Sequence, residues 1–397
     1  MRNNQLPGRS PVMSTEAMAA TSQPMATQVA LQILREGGNA MDAAIAASAT
    51  LSVVESYSSG IGGDCFILYH EAATGKLHAL NGSGRSPAAA SIDEMHKRGH
   101  ETMPETGILP VTIPGAIDAW HSASQSLGKL DFAELLKPAI NYAQNGYVVS
   151  PVVAHNWADS EELLAATPEA SAAYLINGKA PKVGTIHKQP DLAHSLRLIA
   201  EQGRDVFYQG EIAEEIIRFS DRHNGLLKLE DFKSHRSEWV EPISSNYRGY
   251  RVCEIPPNGQ GITTLMALNI MAQTQVKDYS HLSTQHVHLL SEAFSLAMAE
   301  RDRFICDSKF NQLPIEQMLS NEFAAQQYGR ISMDSALSQP VTSALPNHKD
   351  TVYLTVVDKD RNVCSFINSV FHSWGSGLVA GSTGINLQNR GAGFSLD

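Results

Sequence analysis

Apolar residues recur at helical spacing near the start of the chain. From Met25 to Ser48 this pattern predicts two helices, which the Gly37-Gly38 pair separates. Asn39 stands directly before the second apolar run, and asparagine is a favoured N-cap because its side chain accepts a hydrogen bond from the first turn. We therefore expect the second helix to begin after Asn39.

Alternating polar and β-branched residues predict two β-hairpins. The first has strands at residues 65–69 and 76–80 around a turn at Thr74-Gly75. The second begins at Thr351 and turns through the polar residues 358–362. The segment 247–257 (YRGYRVCEIPP) is also expected to be extended, and it ends at two prolines.

Helical patterns alternate with loops between residues 130 and 300. The last of these helices has an apolar stripe that we expect to face the core, formed by Val287, Leu290, Phe294 and Met298. Residues 333–350 lose this periodicity and contain two prolines, which indicates an exposed linker before Thr351.

Composition narrows the class of protein. Hydrophobic residues make up 43% of the 397 residues and charged residues 18%, which is typical of a folded globular chain of about two or three domains. The net charge is 30 − 41 = −11, which disfavours nucleic acid and anionic membranes as partners. The N-terminus has no apolar stretch like that of a signal peptide, and no apolar run is long enough to span a membrane. We therefore expect a cytoplasmic protein.

Neither cysteine nor histidine spacing indicates a metal site. The four cysteines are far apart and form no CxxC pair, so neither a disulfide framework nor a zinc knuckle is expected. His286 and His288 are two residues apart on a predicted helix and cannot share a face. We expect no metal and no organic cofactor.

Thr351 is the first candidate for a catalytic residue. If the chain were cut before Thr351, one residue would carry both a hydroxyl group and a free α-amine. An α-amine has a pKa of about 7.7–8.0, so it could act as the base for that hydroxyl. Threonine is also common at the start of a strand, and this residue alone leaves both interpretations open.

Ten motifs follow one another along nearly the whole chain. They are ATSQPMAT (20–27), EGGNAMDAAIAA (36–47), SGIGGDCFIL (59–68), VTIPGAIDAW (111–120), KPAINYAQNGYVVS (137–150), YRGYRV (247–252), PPNGQG (256–261), AERDRFICD (299–307), DTVYLTVVDKDRN (350–362) and GSGLVAGSTGINLQN (375–389). In this order and spacing they resemble the γ-glutamyltransferase (glutathione hydrolase) family of N-terminal nucleophile hydrolases. The resemblance rests on their order and spacing more than on any one motif.

The resemblance implies an α+β fold, a four-layer α/β/β/α sandwich. It also implies a precursor that cuts itself between Asp350 and Thr351. The products would be a large subunit from residues 1–350 and a small subunit that begins with residues 351–397. The processed pairs are expected to be able to assemble further as a homo-oligomer. Family members continue well beyond the 47 residues that follow Asp350 here, so we expect the C-terminal part of the family to be missing. The glycine pair of the oxyanion hole would belong to that part.

The resemblance also implies roles for individual residues. Thr351 would be the nucleophile, and Ser369 would bind its hydroxyl. The asparagine and aspartate with which the family binds a substrate amine correspond to Phe371 and Gly393. An ammonium group buried beside these two residues would lack a partner, at a cost of several kcal/mol.

The carboxylate-binding arginine of the family corresponds to Ser83, but Arg85 stands two residues further on. A guanidinium suits a carboxylate because it can make two parallel hydrogen bonds. We therefore expect Ser83, Arg85, Phe371 and the adjacent His372 to line the substrate pocket.

Together these residues predict a self-processing amidohydrolase with a small carboxylate-bearing amide, such as oxamate, as its substrate. One alternative is a γ-glutamyl hydrolase or transferase that acts on glutathione or a related compound. Another, of a different class, is an unprocessed, non-catalytic fragment or binding protein.

Overall fold

The computed structural model describes residues 11–337 and 351–396. Asp350 and most of the predicted linker lie outside the described residues. Helices and antiparallel strands are mixed along the chain, which confirms the α+β class. The strands are β1 (Met18–Ala20), β2 (Asp64–Glu71), β3 (Lys76–Gly82), β4 (Tyr147–Val148), β5 (Ile186–His187), β6 (Glu238–Val240), β7 (Ile243–Tyr247), β8 (Tyr250–Glu254), β9 (Val352–Val357) and β10 (Val363–Ser369).

The α-helices differ widely in length. They are α1 (Pro24–Arg35), α2 (Ala40–Val54), α3 (Ile92–Lys97), α4 (Ala116–Leu127), α5 (Phe132–Asn145), α6 (Pro151–Ala158), α7 (Glu161–Ala165), α8 (Pro168–Tyr174), α9 (Pro190–Gln202), α10 (Asp205–Tyr208), α11 (Glu211–Arg222), α12 (Leu229–Ser234), α13 (Gly261–Ala272), α14 (Thr284–Phe304), α15 (Ile315–Met318) and α16 (Asn321–Tyr328). Within the described residues no helix is both long and apolar enough to cross a membrane.

A six-stranded antiparallel sheet organises the fold. Its strand order is β1-β9-β10-β2-β3-β6. The two predicted hairpins, β2–β3 and β9–β10, are confirmed and pair with each other through β2 and β10. The predicted extended segment at 247–257 contains β8, which pairs with β7 in a separate two-stranded sheet. The large sheet therefore joins the beginning of the chain to its end.

Helices cover one face of this sheet. The helix α2 packs against β9 and β10, α4 packs against β2 and β3, and α1 and α5 pack on α2. All 15 residues of α2 are buried, and most of them are small, so the helix can approach the sheet closely. The opposite face of the sheet carries Tyr353 and Ile367, which are 54% and 37% exposed.

The predicted N-cap of α2 is confirmed. The Asn39 side chain accepts hydrogen bonds from the amides of Met41 (3.0 Å) and Asp42 (3.1 Å), and Asp42 bonds back to the Asn39 amide at 2.9 Å. Asp358, in the β9–β10 turn, accepts a hydrogen bond from the Ala40 amide at 3.0 Å. The turn of the hairpin is thereby attached to the first turn of α2.

The predicted apolar stripe of α14 is confirmed only in part: Leu290 packs against the buried cluster that α13 and α14 share, but two other members of the stripe are exposed. Val287 and Phe294 are 45% and 47% exposed, whereas Leu289, Ala293 and Leu296 are buried. The helix packs on α13 through this second face, where Ala293 and Ala297 allow close contact. The periodicity predicted the helix correctly. The helix carries apolar residues on two faces, and packing against α13 buries one of them.

Candidate active site

Three site residues lie side by side at one end of the large sheet. Thr351 directly precedes β9, Ser369 ends β10 and Asp64 begins β2. Ser369 is the cross-strand partner of Asp64, and continuing the β9–β10 register by one residue places Thr351 opposite Ser369. Because directly paired residues point to the same face, the three side chains share one face of the sheet.

The hydroxyl groups of Thr351 and Ser369 are in hydrogen-bonding contact. Their Oγ atoms are 3.1 Å apart, and Ser369 is only 1% exposed whereas Thr351 is exposed. Ser369 Oγ also accepts a hydrogen bond from the Phe371 amide at 2.9 Å. This arrangement leaves the Ser369 proton available for Thr351, so Ser369 can stabilise negative charge on the Thr351 oxygen.

The backbone at Phe371 is strained. Its φ is +81°, a region that bulky residues rarely adopt. Such a conformation costs on the order of 1–3 kcal/mol and is concentrated at functional sites. Here it turns the chain sharply after β10 and directs the Phe371 amide to Ser369.

The SGIGGD motif shapes the floor of the site. A side chain on Gly63 would collide with the Ser369 carbonyl, and one on Gly62 would collide with the Asn386 carbonyl. Gly62 also accepts a hydrogen bond from the Gln388 amide at 3.0 Å. The glycines therefore let the end of β10 and the segment 385–389 pack directly on this loop.

Arg390 is a site residue that the sequence analysis did not identify. Its Nη2 donates a hydrogen bond to Asp64 Oδ1 at 2.9 Å, and its Nε lies against Asp64 Oδ2. Burial raises the pKa of the Asp64 carboxyl, and the Arg390 guanidinium acts in the opposite direction. Asp64 ends the SGIGGD motif and Arg390 lies in the QNRG segment. The two residues are 326 positions apart, and no local sequence pattern predicts that they pair.

Phe371, His372 and Gly393 lie together beside this ion pair. The Phe371 ring stacks on His372 with 4.5 Å between ring centroids, and the Arg390 guanidinium lies 4.6 Å from the Phe371 ring centre. A Cβ atom on Gly393 would be 3.4 Å from the Phe371 ring. These positions hold an aromatic ring and a bare backbone, which offer no acidic group for a substrate amine.

Ser83 and Arg85 stand further along the same end of the sheet. Ser83 donates a hydrogen bond to Asn81 at 2.7 Å and accepts one from Asn258 at 3.0 Å. Arg85 forms a 2.8 Å ion pair with Glu238, and its side chain is 55% exposed. Both residues follow β3, which is three positions from β9 in the sheet, and this corresponds to about 14 Å between the strand backbones. The structure therefore does not bring Arg85 into contact with the Thr351–Ser369 pair.

No metal centre accompanies these residues. Among residues 11–337 and 351–396 there is no group of three or more histidine, cysteine, aspartate or glutamate side chains that could hold a metal ion. The groups that the site does present are the hydroxyls of Thr351 and Ser369, the Asp64–Arg390 ion pair and the Phe371 amide.

Comparison with known proteins places these features in a family. A sequence profile of the gamma-glutamyltranspeptidase family matches residues 26–397. The chain is 40% identical to the glutathione hydrolase-like YwrD proenzyme of Bacillus subtilis, over 97% of this chain and 73% of that protein. It is 35% identical to the oxamate amidohydrolase proenzyme of Klebsiella pneumoniae, over 97% of this chain and 72% of that protein.

The fold has a close solved counterpart. The crystal structure of cephalosporin acylase from Bacillus halodurans superimposes with a TM-score of 0.91 at 40% identity, and the match covers 100% of this chain and 74% of that one. This similarity confirms the N-terminal nucleophile hydrolase fold that the motifs implied. The protein is an enzyme, and its chain belongs to the gamma-glutamyltranspeptidase family of N-terminal nucleophile hydrolases.

Proposed function

We propose that this chain is a self-processing amidohydrolase whose nucleophile is Thr351 and whose substrate is a small amide that carries a carboxylate. The observation that carries the proposal is the 3.1 Å contact between the Oγ atoms of Thr351 and Ser369, supported by the Phe371 amide. A threonine at the head of a strand needs such a partner to act as a nucleophile, because its own hydroxyl is a weak one.

Self-processing is the first reaction of this proposal. The Thr351 oxygen attacks the carbonyl carbon of Asp350, the peptide C–N bond breaks and an ester joins the two residues. Water then opens the ester, which leaves a carboxylate on Asp350 and a free α-amine on Thr351. The products are a chain of residues 1–350 and a chain that begins at Thr351.

Amide hydrolysis then uses the new amine. The α-amine of Thr351 takes the hydroxyl proton while the oxygen attacks the substrate carbonyl, and Ser369 donates a hydrogen bond to that oxygen. The leaving group departs as ammonia or an amine after it receives the proton. Water releases the acyl group from Thr351 by the same route, so the two steps return the enzyme to its starting state.

The preference for a carboxylate rests on two arginines at this end of the sheet. The sequence predicts Arg85, and the structure adds Arg390, which pairs with Asp64 next to Ser369. Phe371 and Gly393 stand where the family binds a substrate amine, and neither can neutralise an ammonium group. The 35% identical oxamate amidohydrolase proenzyme acts, by its name, on a molecule with a carboxylate and no amine.

The second candidate is γ-glutamyl hydrolysis or transfer. It is favoured by the 40% identical relative, which is called glutathione hydrolase-like. The substrate amine would then need a partner other than Phe371 and Gly393. Release of p-nitroaniline from γ-glutamyl-p-nitroanilide at a higher kcat/KM than ammonia release from oxamate would establish this candidate instead.

The test begins with the denatured intact mass of the protein expressed from its full gene. We expect two chains with a break before Thr351, and a single chain for Thr351→Ala. Ammonia release from oxamate should accompany cleavage in the wild type and be absent from the variant. An uncut wild-type chain without turnover would contradict the proposal and support a binding protein.

The cytoplasmic location and the assembly of processed pairs are also proposals. Cell fractionation would test the location, and light scattering would test the assembly.

A further inference from the structure

The ion pair between Asp64 and Arg390 is unusual because of where it is buried. The Asp64 side chain is 1% exposed and that of Arg390 is 25% exposed. Removing both charges from water costs several kcal/mol per ion, so a buried pair is seldom the most stabilising choice at a site. Charged groups of this kind are concentrated at functional sites. Burial alone does not distinguish this pair, because Arg204 and Asp118 form another buried ion pair. What distinguishes it is its place beside Ser369.

Its position adjoins the nucleophile. Asp64 is the cross-strand partner of Ser369, and Ser369 contacts Thr351 at 3.1 Å. The Phe371 amide bonds to Ser369, and the ring of the same residue lies 4.6 Å from the Arg390 guanidinium. Arg390 is therefore held next to the Thr351–Ser369 contact by Asp64, on the neighbouring strand, and by Phe371, whose amide bonds to Ser369.

The guanidinium is also held in one orientation. Asp64 engages Nε and Nη2, and the Phe371 ring covers one face of the guanidinium plane. The third nitrogen, Nη1, donates no hydrogen bond to any residue in the described part of the chain. An oriented guanidinium loses little conformational entropy when it binds a ligand, and its remaining donors suit a carboxylate.

We propose that Arg390 is the residue that binds the substrate carboxylate, with Asp64 and Phe371 as the residues that position it. This inference rests on the proposed function of Thr351 as an amide-hydrolysing nucleophile. It assigns to Arg390 the role that the sequence analysis gave to Arg85. Arg85 instead forms an ion pair with Glu238, which also pairs with Lys309. This pair lies by β3 and β6, at the edge of the sheet away from β9.

The experiment compares two amides that differ in one group. Oxamate carries a carboxylate, whereas oxamide has a neutral amide in its place. We expect Arg390→Gln to lower kcat/KM for oxamate about 100-fold, because a charged hydrogen-bonding pair is lost. The value for oxamide should fall by a clearly smaller factor, since that substrate has no charge for Arg390 to bind, so the ratio of oxamate to oxamide turnover should fall.

Two further variants separate recognition from folding. Arg390→Gln leaves Asp64 buried without its cation, so the double variant Asp64→Asn/Arg390→Gln removes both charges and should show the same loss for oxamate. The matched control is Arg204→Gln, which breaks another buried pair, formed by Arg204 and Asp118 at 11% and 6% exposure. This control should lose stability but keep the wild-type ratio of oxamate to oxamide turnover.

Three results would overturn the inference. Equal losses for both amides in the double variant would make Arg390 a structural counterion of Asp64. Loss of oxamate preference in Arg85→Gln but not in Arg390→Gln would return the role to Arg85. A wild-type enzyme that hydrolyses neither amide would overturn the proposed function itself, which the intact mass and the wild-type assay reveal before any Arg390 variant is made.

Discussion

Ser369 shows how a single hydroxyl group can be placed by strand register. Its Oγ atom accepts a hydrogen bond from the Phe371 amide and contacts Thr351, and both contacts follow from its place at the end of β10. The amide occupies one acceptor position of the oxygen, and the Ser369 hydroxyl can still donate its proton to Thr351. A residue that looks like an ordinary strand-end serine is thereby fitted to assist a nucleophile.

We expect Ser369→Ala to slow both self-cleavage and amide turnover by about 10- to 100-fold, because a hydrogen bond to a developing negative charge contributes about 1.5–3 kcal/mol. Gel analysis of cleavage and ammonia release measure the two rates. The matched control is Ser365→Ala, on the same face of β10, whose Oγ pairs with the Tyr353 hydroxyl at 3.1 Å. Similar rates in both variants would show that Ser369 has no special role.

At the scale of elements, the β9–β10 hairpin is held at its turn as well as along its strands. Asp358 is 3% exposed and accepts hydrogen bonds from the amides of Ala40 (3.0 Å), Asp360 (2.9 Å) and Asn362 (3.0 Å). One carboxylate therefore closes the hairpin turn and also bonds to the N-terminus of α2, where negative charge is favourable. The hairpin that carries Thr351 and Ser369 is fixed at the end opposite to the site.

We expect Asp358→Ala to lower the free energy of unfolding by about 1–3 kcal/mol, since the buried Ala40 amide and two part-buried amides lose their acceptor. Urea unfolding of the uncut Thr351→Ala protein measures this on one intact chain. The control is Asp360→Ala, which removes an exposed ion pair with Lys129 (3.3 Å) and should cost less than about 1 kcal/mol. Equal costs would show that the contact with α2 adds nothing.

At the scale of the whole molecule, two buried histidines make stability depend on pH. Burial lowers the pKa of His187 and of His235 to about 4, from an ordinary value of 6.5. His187 lies in an aromatic cluster, 4.8 Å from Trp157 and 5.9 Å from Tyr147 between ring centroids. The folded protein binds fewer protons than the unfolded chain, so this contribution is complete above pH 6.5 and is lost as the pH falls towards 4.

Each of these histidines should remove about 2 kcal/mol of stability between pH 7 and pH 5. We expect His187→Phe, which keeps an aromatic ring in the cluster, to reduce the fall in unfolding free energy by that amount. Urea unfolding at the two pH values gives the measurement. His155→Phe, at an exposed position, should leave the pH dependence unchanged. A fall as steep in His187→Phe as in the wild type would contradict this account.

Local patterns determined much of this protein. Apolar periodicity and an N-cap residue predicted α2, alternation predicted both hairpins of the large sheet, and the order of motifs identified the family. Such features depend on residues that are close in the sequence, so they can be read without a structure. The division into residues 1–350 and 351–397, and the roles of Thr351 and Ser369, stay predictions until cleavage is measured.

Tertiary structure alone decided which distant residues meet. It selected the buried face of α14 through contact with α13, and it paired Asp64 with Arg390 across 326 positions of sequence. It also pairs Arg85 with Glu238, next to a strand that is three positions from β9 in the sheet. Cross-strand register and side-chain packing set these contacts, and both depend on the whole sheet being assembled. The sequence by itself determined the elements and the family, and the fold decided which charges lie beside Ser369 and Thr351.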